Sequence, residues 1–486
     1  MKFSSYKLYV EKFIEDINVK ALFFLRYLIL VFLIFQNFEL DFIFLINWKL
    51  YFVVLSIWFL VEIIIFRLEN NNYYFEALLF IGILKICLVL INSEFRDYVF
   101  YSPPDSQHYK ELAQSLFDCK KYARNLDIFC NGDSYSKRGP TYSIILSIFT
   151  IGGNLHSSFF VFFQVFLCAL TFNLIIKQIN NLNTTIVIPG VFILISINPL
   201  IWTFSRLVLM ETIGSFIITF SLVYSKNLLM NFKRNNIWLV GLIMSLFLNI
   251  QYFAVVFFYY IKYFLIKKNN LKFLFINLFL VSFLIFAWGL RNAEETGKWD
   301  FNPYSGCYLE KNIIESTEAL KLEKTIYEIR ESGITYNLLK DSNIKNQDTS
   351  HEVCSEFLSI LPKYYQENFD KISQGYKNYF YQLSLNEQPC QYYDILCEKG
   401  YWFWLIGLIS KWLFIFSFLV TIFFNRNNVL YDIFAYAGLF ILIMILVTAD
   451  APRMRVLFEP FVYLIIGNGL SFTVWKLKII FSNLVN

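Results

Sequence analysis

The chain has 486 residues, of which 57% are hydrophobic and only 16% charged. Soluble domains carry about 25% charged residues, so this composition excludes a soluble globular protein. The net charge of +5 is scattered, with no Lys/Arg block or base-stacking motif to point to a nucleic-acid partner.

The N-terminus opens on Lys2, Lys7, Lys12 and Lys20. It is too long and aromatic for a signal peptide, and no small-residue cleavage site follows. It is expected as a cytoplasmic interfacial helix leading into an uncleaved first span. Each span needs about 20 apolar residues. Spans are expected at Ala21–Phe35, Leu50–Ile65, Tyr74–Ile91, Ser158–Ile176, Thr185–Trp202 and Thr212–Tyr224. Further spans fall at Trp238–Ile250, Phe253–Ile266, Phe273–Leu290, Tyr401–Phe424, Leu430–Val447 and Leu457–Trp475. The fold expected is an all-α polytopic membrane protein with about twelve transmembrane helices and two long outer loops.

Orientation follows from the connections. With the N-terminus cytoplasmic, that side receives Arg67, Lys177, Lys226, Lys233, Arg234, Lys267, Lys268, Lys272, Arg426, Lys476 and Lys478. The positive-inside bias asks for this. The other side receives Asn92–Gly153 and Arg291–Gly400, of mixed sign. Three parts result. Residues 1–290 are an N-terminal membrane region with the first outer, catalytic loop at 92–153. Residues 291–400 form an outer segment with a small helical domain, and 401–486 hold the last spans.

Six of the eight cysteines fall in the two outer segments: Cys119, Cys130, Cys307, Cys354, Cys390 and Cys397. An even set on one side fits an oxidising compartment. Cys119 with Cys130 and Cys390 with Cys397 are the close pairs; free thiols in a reducing space are the alternative. No Cys-x-x-Cys or clustered His appears, so structural zinc is not expected.

Chemistry concentrates in the outer segments. Tyr101-Ser-Pro-Pro-Asp105-Ser106-Gln-His108-Tyr109 puts a carboxylate at or just before a helix start, with Tyr109 one turn on. A plain helix cap is the bland alternative for Asp105. Ser136-Lys137-Arg138-Gly139-Pro140-Thr-Tyr142 precedes an apolar stretch too short to span, which is expected along the interface. There Lys137 and Arg138 sit at headgroup depth, where cations meet lipid phosphates or simply snorkel.

Asp105-x-x-x-Tyr109 followed by Arg138-Gly-Pro-Thr-Tyr142 resembles the first outer loop of GT-C membrane glycosyltransferases, closest to the aminoarabinose transferase and protein mannosyltransferase branch. Three further passages agree in order: Asn198-Pro199…Arg206…Glu211, Trp288-Gly-Leu-Arg291-Asn292…Gly297…Gly306-Cys-Tyr308, and Ala451-Pro452-Arg453-Met-Arg455…Glu459-Pro460. Ser106 and Gln107 stand where the family often has a second acid, and Met454 replaces the usual aromatic between two arginines. The oligosaccharyltransferase signature Trp-Trp-Asp-Tyr-Gly is absent.

The resemblance implies transfer of a sugar from a polyprenyl-phosphate donor to a lipid, glycan or protein acceptor outside the membrane. Asp105 is the candidate general base and Glu211 a second acid that orients an arginine or binds the acceptor; an ion pair with Arg206 is its structural alternative. Lys137, Arg138, Arg291, Arg453 and Arg455 are the candidate phosphate cations. His108, Tyr109, Tyr142 and Tyr304 are candidate sugar contacts, or part of an aromatic belt. No cofactor or metal is expected, although Asp105, Glu211 and Glu310 could share a hard cation. The expected location is a bacterial inner membrane with the site facing the periplasm and undecaprenyl phosphate as donor lipid. The rival reading is a polysaccharide polymerase, or a flippase or transporter of lipid-linked sugars; the charges inside spans (Arg26, Glu62, Glu76, Lys85, Lys262 and Lys411) form no evident line for such a path.

Overall fold

A computed structural model describes residues 25–29, 57, 59, 61–62, 74–91, 104–122, 139–151, 154–155, 157–180, 186–205, 207–228, 232–248, 252–253, 256–257, 271–296, 299, 314–315, 317–324, 329, 332, 359–374, 401–424, 456–457 and 459–485. Apolar runs in a medium without water must satisfy their backbone groups internally, and helices do so within one segment. The described chain is accordingly helical: α1 (Tyr74–Ile91), α2 (Pro104–Asp118), α3 (Pro140–Ser147), α4 (Ser157–Asn180), α5 (Val187–Ile197), α6 (Pro199–Phe204), α7 (Glu211–Leu228), α8 (Phe232–Leu248), α9 (Leu271–Thr296), α10 (Tyr401–Phe424) and α11 (Glu459–Val485). A single antiparallel pair, β1 (Thr150–Ile151) with β2 (Asn154–Leu155), closes the turn between α3 and α4.

Among the described residues three stretches are long and apolar enough to cross a membrane: Phe159–Ile179 in α4, Phe275–Glu294 in α9 and Glu459–Ser482 in α11. Shorter apolar stretches are Val187–Ile197, Leu239–Leu248 and Ile409–Thr421.

α4 is the central helix, packed on α1, α5, α7 and α11. Its Phe160, Val161, Val165, Ala169 and Ile175 are fully buried. α10 and α11 lie against each other closely enough that a Cβ on Gly469 would stand 2.5 Å from Ser417 Cα. Small residues permit this backbone approach between membrane helices. α9 instead packs on α8 and leaves Phe275, Phe279, Phe283 and Phe286 exposed along one stripe, as a lipid-facing helix does.

A buried ion pair lies inside the bundle. The Arg26 guanidinium grips the Glu62 carboxylate through Nε and Nη2, and both side chains are fully buried. The Tyr74 and Phe192 rings flank it at 5.7 and 5.5 Å. Removing either partner of such a pair strands a charge and costs about 3–5 kcal/mol.

Several expectations need correction. The span expected at Thr185–Trp202 is broken: α5 stops at Ile197, Asn198 is extended (φ −66, ψ 116), and α6 restarts at Pro199. Proline cannot donate to the preceding turn and disfavours helix in the residue before it. α9 runs six residues beyond the expected end at Leu290, so Arg291 is helical rather than the start of a loop. Ala293, Glu294 and Glu295 are good helix formers and carry it on. α11 starts at Glu459, not Leu457, and ends at Val485, about 40 Å long at 1.5 Å per residue. Of the span expected at Phe253–Ile266, only residues 253, 256 and 257 are described, all helical. Leu430–Val447 and the basic N-terminus lie outside the described residues.

In the segment 291–400, helical residues 317–322 and 359–374 meet where the Tyr364 hydroxyl donates to Glu318 Oε1 at 2.6 Å. The Lys321 ammonium pairs with the same carboxylate at 2.7 Å and lies over the Tyr364 ring. Burial and the neighbouring Glu318 carboxylate hold the Tyr364 phenol well above its ordinary pKa.

Candidate functional site

α2 begins at Pro104, making Asp105 its second residue. Proline suits the first helical position, and a carboxylate in the first turn faces the positive end of the helix dipole. The Asp105 carboxylate itself lies outside the described residues. One turn on, Tyr109 is only 2% exposed. Its ring meets Tyr142 of α3 edge-on at 4.6 Å, and its hydroxyl donates to Met210 Sδ at 3.3 Å. Tyr142, 0% exposed, leans in turn on Phe160 of α4 at 5.6 Å. The two candidate sugar-binding rings are thus inside the packing that seats α2 on α3 and on Met210, with Phe160 of α4 behind Tyr142. His108 and Lys110 flank Tyr109 and are half-buried; burial lowers the Lys110 pKa from its ordinary value.

α3 starts where glycine is required. Gly139 is its N-cap, extended at φ −64, ψ 145, with Pro140 at the first helical position. A Cβ on Gly139 would lie 2.0 Å from the Phe247 carbonyl oxygen of α8, so only glycine allows the two backbones to touch. Gly139 O accepts from the Tyr122 hydroxyl at 3.0 Å. Lys137 and Arg138, the residues immediately before it, lie outside the described residues.

Arg291 comes to the same place from α9. Its Nη2 donates to the Tyr122 carbonyl at 2.9 Å, and its Nη1 to Asn292 Oδ1 at 3.0 Å. The guanidinium lies over Trp288 at 5.0 Å and Tyr122 at 5.8 Å. A guanidinium has five N–H donors. The two bonds use two of these donors and fix the plane of the group.

At the α5–α6 break three carbonyls of the last turn of α5 receive a side-chain donor: Leu194 O from the Tyr463 hydroxyl (3.4 Å), Ile195 O from Trp202 Nε1 (3.0 Å) and Ser196 O from Lys85 Nζ (3.4 Å). Helix ends leave such groups orphaned, and in an apolar bundle side chains must supply what water would. Asn198 also caps α6, its Oδ1 accepting from Ile201 N at 3.4 Å. Its Nδ2 donates to Glu459 Oε2 at 3.0 Å and to the Tyr463 hydroxyl at 2.7 Å, joining positions 261 and 265 residues apart. Glu459 and Glu211 are both fully buried, each the first residue of its helix, where the dipole favours a carboxylate.

The four passages singled out in the sequence therefore touch in series. Arg291 meets Tyr122, Tyr122 meets Gly139, Tyr142 meets Tyr109, Tyr109 meets Met210 beside Glu211, and Asn198 meets Glu459. Arg453, Arg455 and Tyr304 lie outside the described residues, as do Arg206 and Glu310. Tyr122 was missed because nothing in its spacing marks a tyrosine whose carbonyl holds an arginine. Glu459 carried a signal, an acid before proline in an apolar passage, without an assigned role.

Cys119, just past α2, is disulfide-bonded, whereas Cys87 and Cys168 are free. Among the described residues no group of three His, Cys, Asp or Glu side chains is placed to hold a metal. No family model, no curated protein and no solved structure matches the chain.

Proposed function

We propose that the chain is an integral-membrane glycosyltransferase of GT-C type, with about twelve spans, moving a sugar from a polyprenyl-phosphate donor to an acceptor on the outer side. The observation that carries the reading is the serial contact of the four family-like passages, drawn from residues 105 to 459. The preferred setting is a bacterial inner membrane with the site facing the periplasm and the donor on undecaprenyl phosphate. The Cys119 disulfide supports an oxidising outer face.

In this mechanism Asp105 takes the proton of the acceptor hydroxyl as its oxygen bonds the anomeric carbon. The bond from that carbon to the phosphate oxygen breaks, and the phosphate leaves with the electron pair. Fixed cations stabilise the charge that develops there. Arg291 supplies its guanidinium, joined by Arg138, Lys137 and the Arg453–Arg455 pair. Glu211 serves as an orienting acid, because its full burial suits holding an arginine better than meeting an acceptor. Tyr109 and Tyr142 act as positioning groups, with His108 and Tyr304 nearer the sugar. The donor is a substrate, and the mechanism calls for no cofactor.

The test is release of polyprenyl phosphate by the purified chain from a panel of polyprenyl-phosphate hexoses, pentoses and aminosugars. Turnover that falls on Arg291→Ala is the expected result. Movement of intact donor across vesicles without release would favour the flippase reading instead.

A further inference from the structure

The contacts of Asn198 with Glu459 and Tyr463 join positions 261 and 265 residues apart, and they sit at a helix break. Between Asn198 and Glu211 the described side chains are buried and the backbone is tied by hydrogen bonds. Ile201, Trp202, Phe204, Leu207, Val208, Leu209 and Met210 are all buried. Ser205 N donates to Ile201 O at 3.1 Å, Leu207 N to Phe204 O at 3.3 Å and Gly214 N to Met210 O at 2.9 Å. Thr212 Oγ1 donates back to Phe204 O at 3.3 Å, and Gln164 of α4 donates to Leu209 O at 2.8 Å. A segment tied in this way moves as a piece. Its upstream end is held where Asn198 Nδ2 meets Glu459 and Tyr463, and its downstream end carries Met210, against Tyr109, and Glu211.

We infer that Glu459, together with Tyr463, is a latch on the Asn198–Pro199 break that sets the position of Glu211 and of the Asp105 helix. Glu459 is a positioning residue for the proposed transfer, and the inference rests on that reading. Glu459 also lies four residues after Arg455 and six after Arg453. Nothing in this role requires Glu459 to meet substrate. What it requires is an oxygen that accepts from Asn198 at the first residue of α11.

Four variants of the full chain in lipid test it: Glu459→Ala, Glu459→Gln, Asn198→Asp, and the double Asn198→Asp/Glu459→Gln. Two readouts apply, amide hydrogen exchange over residues 199–214 and the KM and kcat for sugar release. Glu459→Ala should speed exchange in that segment and lower kcat by about 10²-fold, the scale of a 1 Å misplacement, with donor KM little changed. Glu459→Gln keeps an accepting oxygen and should hold both readouts close to the native chain. Asn198→Asp sets two buried carboxylates against each other and should fail as Glu459→Ala does. The double variant reverses donor and acceptor, so it should restore both slow exchange and kcat. Native-like exchange in Glu459→Ala overturns the latch, as does a double variant no better than Asn198→Asp. Loss in Glu459→Gln equal to that in Glu459→Ala also overturns it, by making the charge itself essential. Exchange that follows the latch in a chain that transfers no sugar overturns the reaction reading alone.

Discussion

The Tyr109 hydroxyl donates to Met210 Sδ at 3.3 Å, across 101 residues, and so fixes the Asp105 helix against the start of the Glu211 helix. Most of that coupling is packing, because a thioether is a weak acceptor. Tyr109→Phe keeps the edge-on contact with Tyr142 and should be nearly silent in a thermal-unfolding assay of the full chain. Tyr109→Ala opens a cavity and should cost about 3–5 kcal/mol. Equal stability of the two variants would remove the ring from this role.

Arg291→Lys separates charge from shape. Lysine keeps the cation but cannot hold the Tyr122 carbonyl and Asn292 together, or lie flat over Trp288. Sugar release should drop by about 10²–10³-fold, the loss typical of one removed electrostatic donor, with little change in thermal stability. Full activity in the lysine variant would restrict Arg291 to a structural part.

Gly139→Ala should fail for a steric reason. Its Cβ would stand 2.0 Å from the Phe247 carbonyl, which belongs to a helix and cannot shift alone. Overpacking costs about 1–3 kcal/mol where neighbours can yield, and this backbone yields little. Size-exclusion profiles of the detergent-solubilised variant should show loss of the monodisperse peak, whereas Ile144→Ala on the exposed side of α3 should not.

The helical pair joined by Tyr364 and Glu318 should be labile to alkali. The raised Tyr364 pKa means that the folded state keeps its proton where the unfolded chain, with an ordinary phenol near about 10, releases it. Stability from this group is whole below that value and is lost as pH rises above it. Limited proteolysis of the segment should accelerate above about pH 10 in the native chain. Tyr364→Phe should cut faster at neutral pH, lacking the bond to Glu318, and show a flatter alkaline response.

Much of this architecture is readable from the chain. α1 and α10 cover the expected residues, because long, mostly apolar runs satisfy their backbone groups within one segment as helices. The Asn198–Pro199 break was readable as chemistry but was passed over as a span, because hydropathy does not register a proline flanked by apolar residues. The overrun of α9 past Arg291 escaped for the opposite reason: a charge usually marks a helix leaving the membrane, yet here the arginine folds onto Trp288 and Tyr122. Of the site, the passages could be named but not their joints. Asn198 with Glu459, and Arg291 with Tyr122, pair residues that only tertiary folding brings together.

Topology has its own check. Lys2→Cys and Lys478→Cys should resist an impermeant thiol reagent added from outside, whereas Cys119 should react only after reduction of its disulfide. Labelling of either lysine-replacement cysteine from outside would invert the orientation.

The most direct test of the proposed chemistry compares the native chain with Asp105→Asn, both in lipid, on a polyprenyl-phosphate sugar. Asparagine keeps the side-chain shape at the second position of α2 but cannot take a proton. The account predicts release of polyprenyl phosphate by the native chain, and a rate lower by about 10²–10⁴-fold in the variant, the contribution typical of a general base. Donor binding should be unchanged. Equal turnover by the two proteins would contradict it.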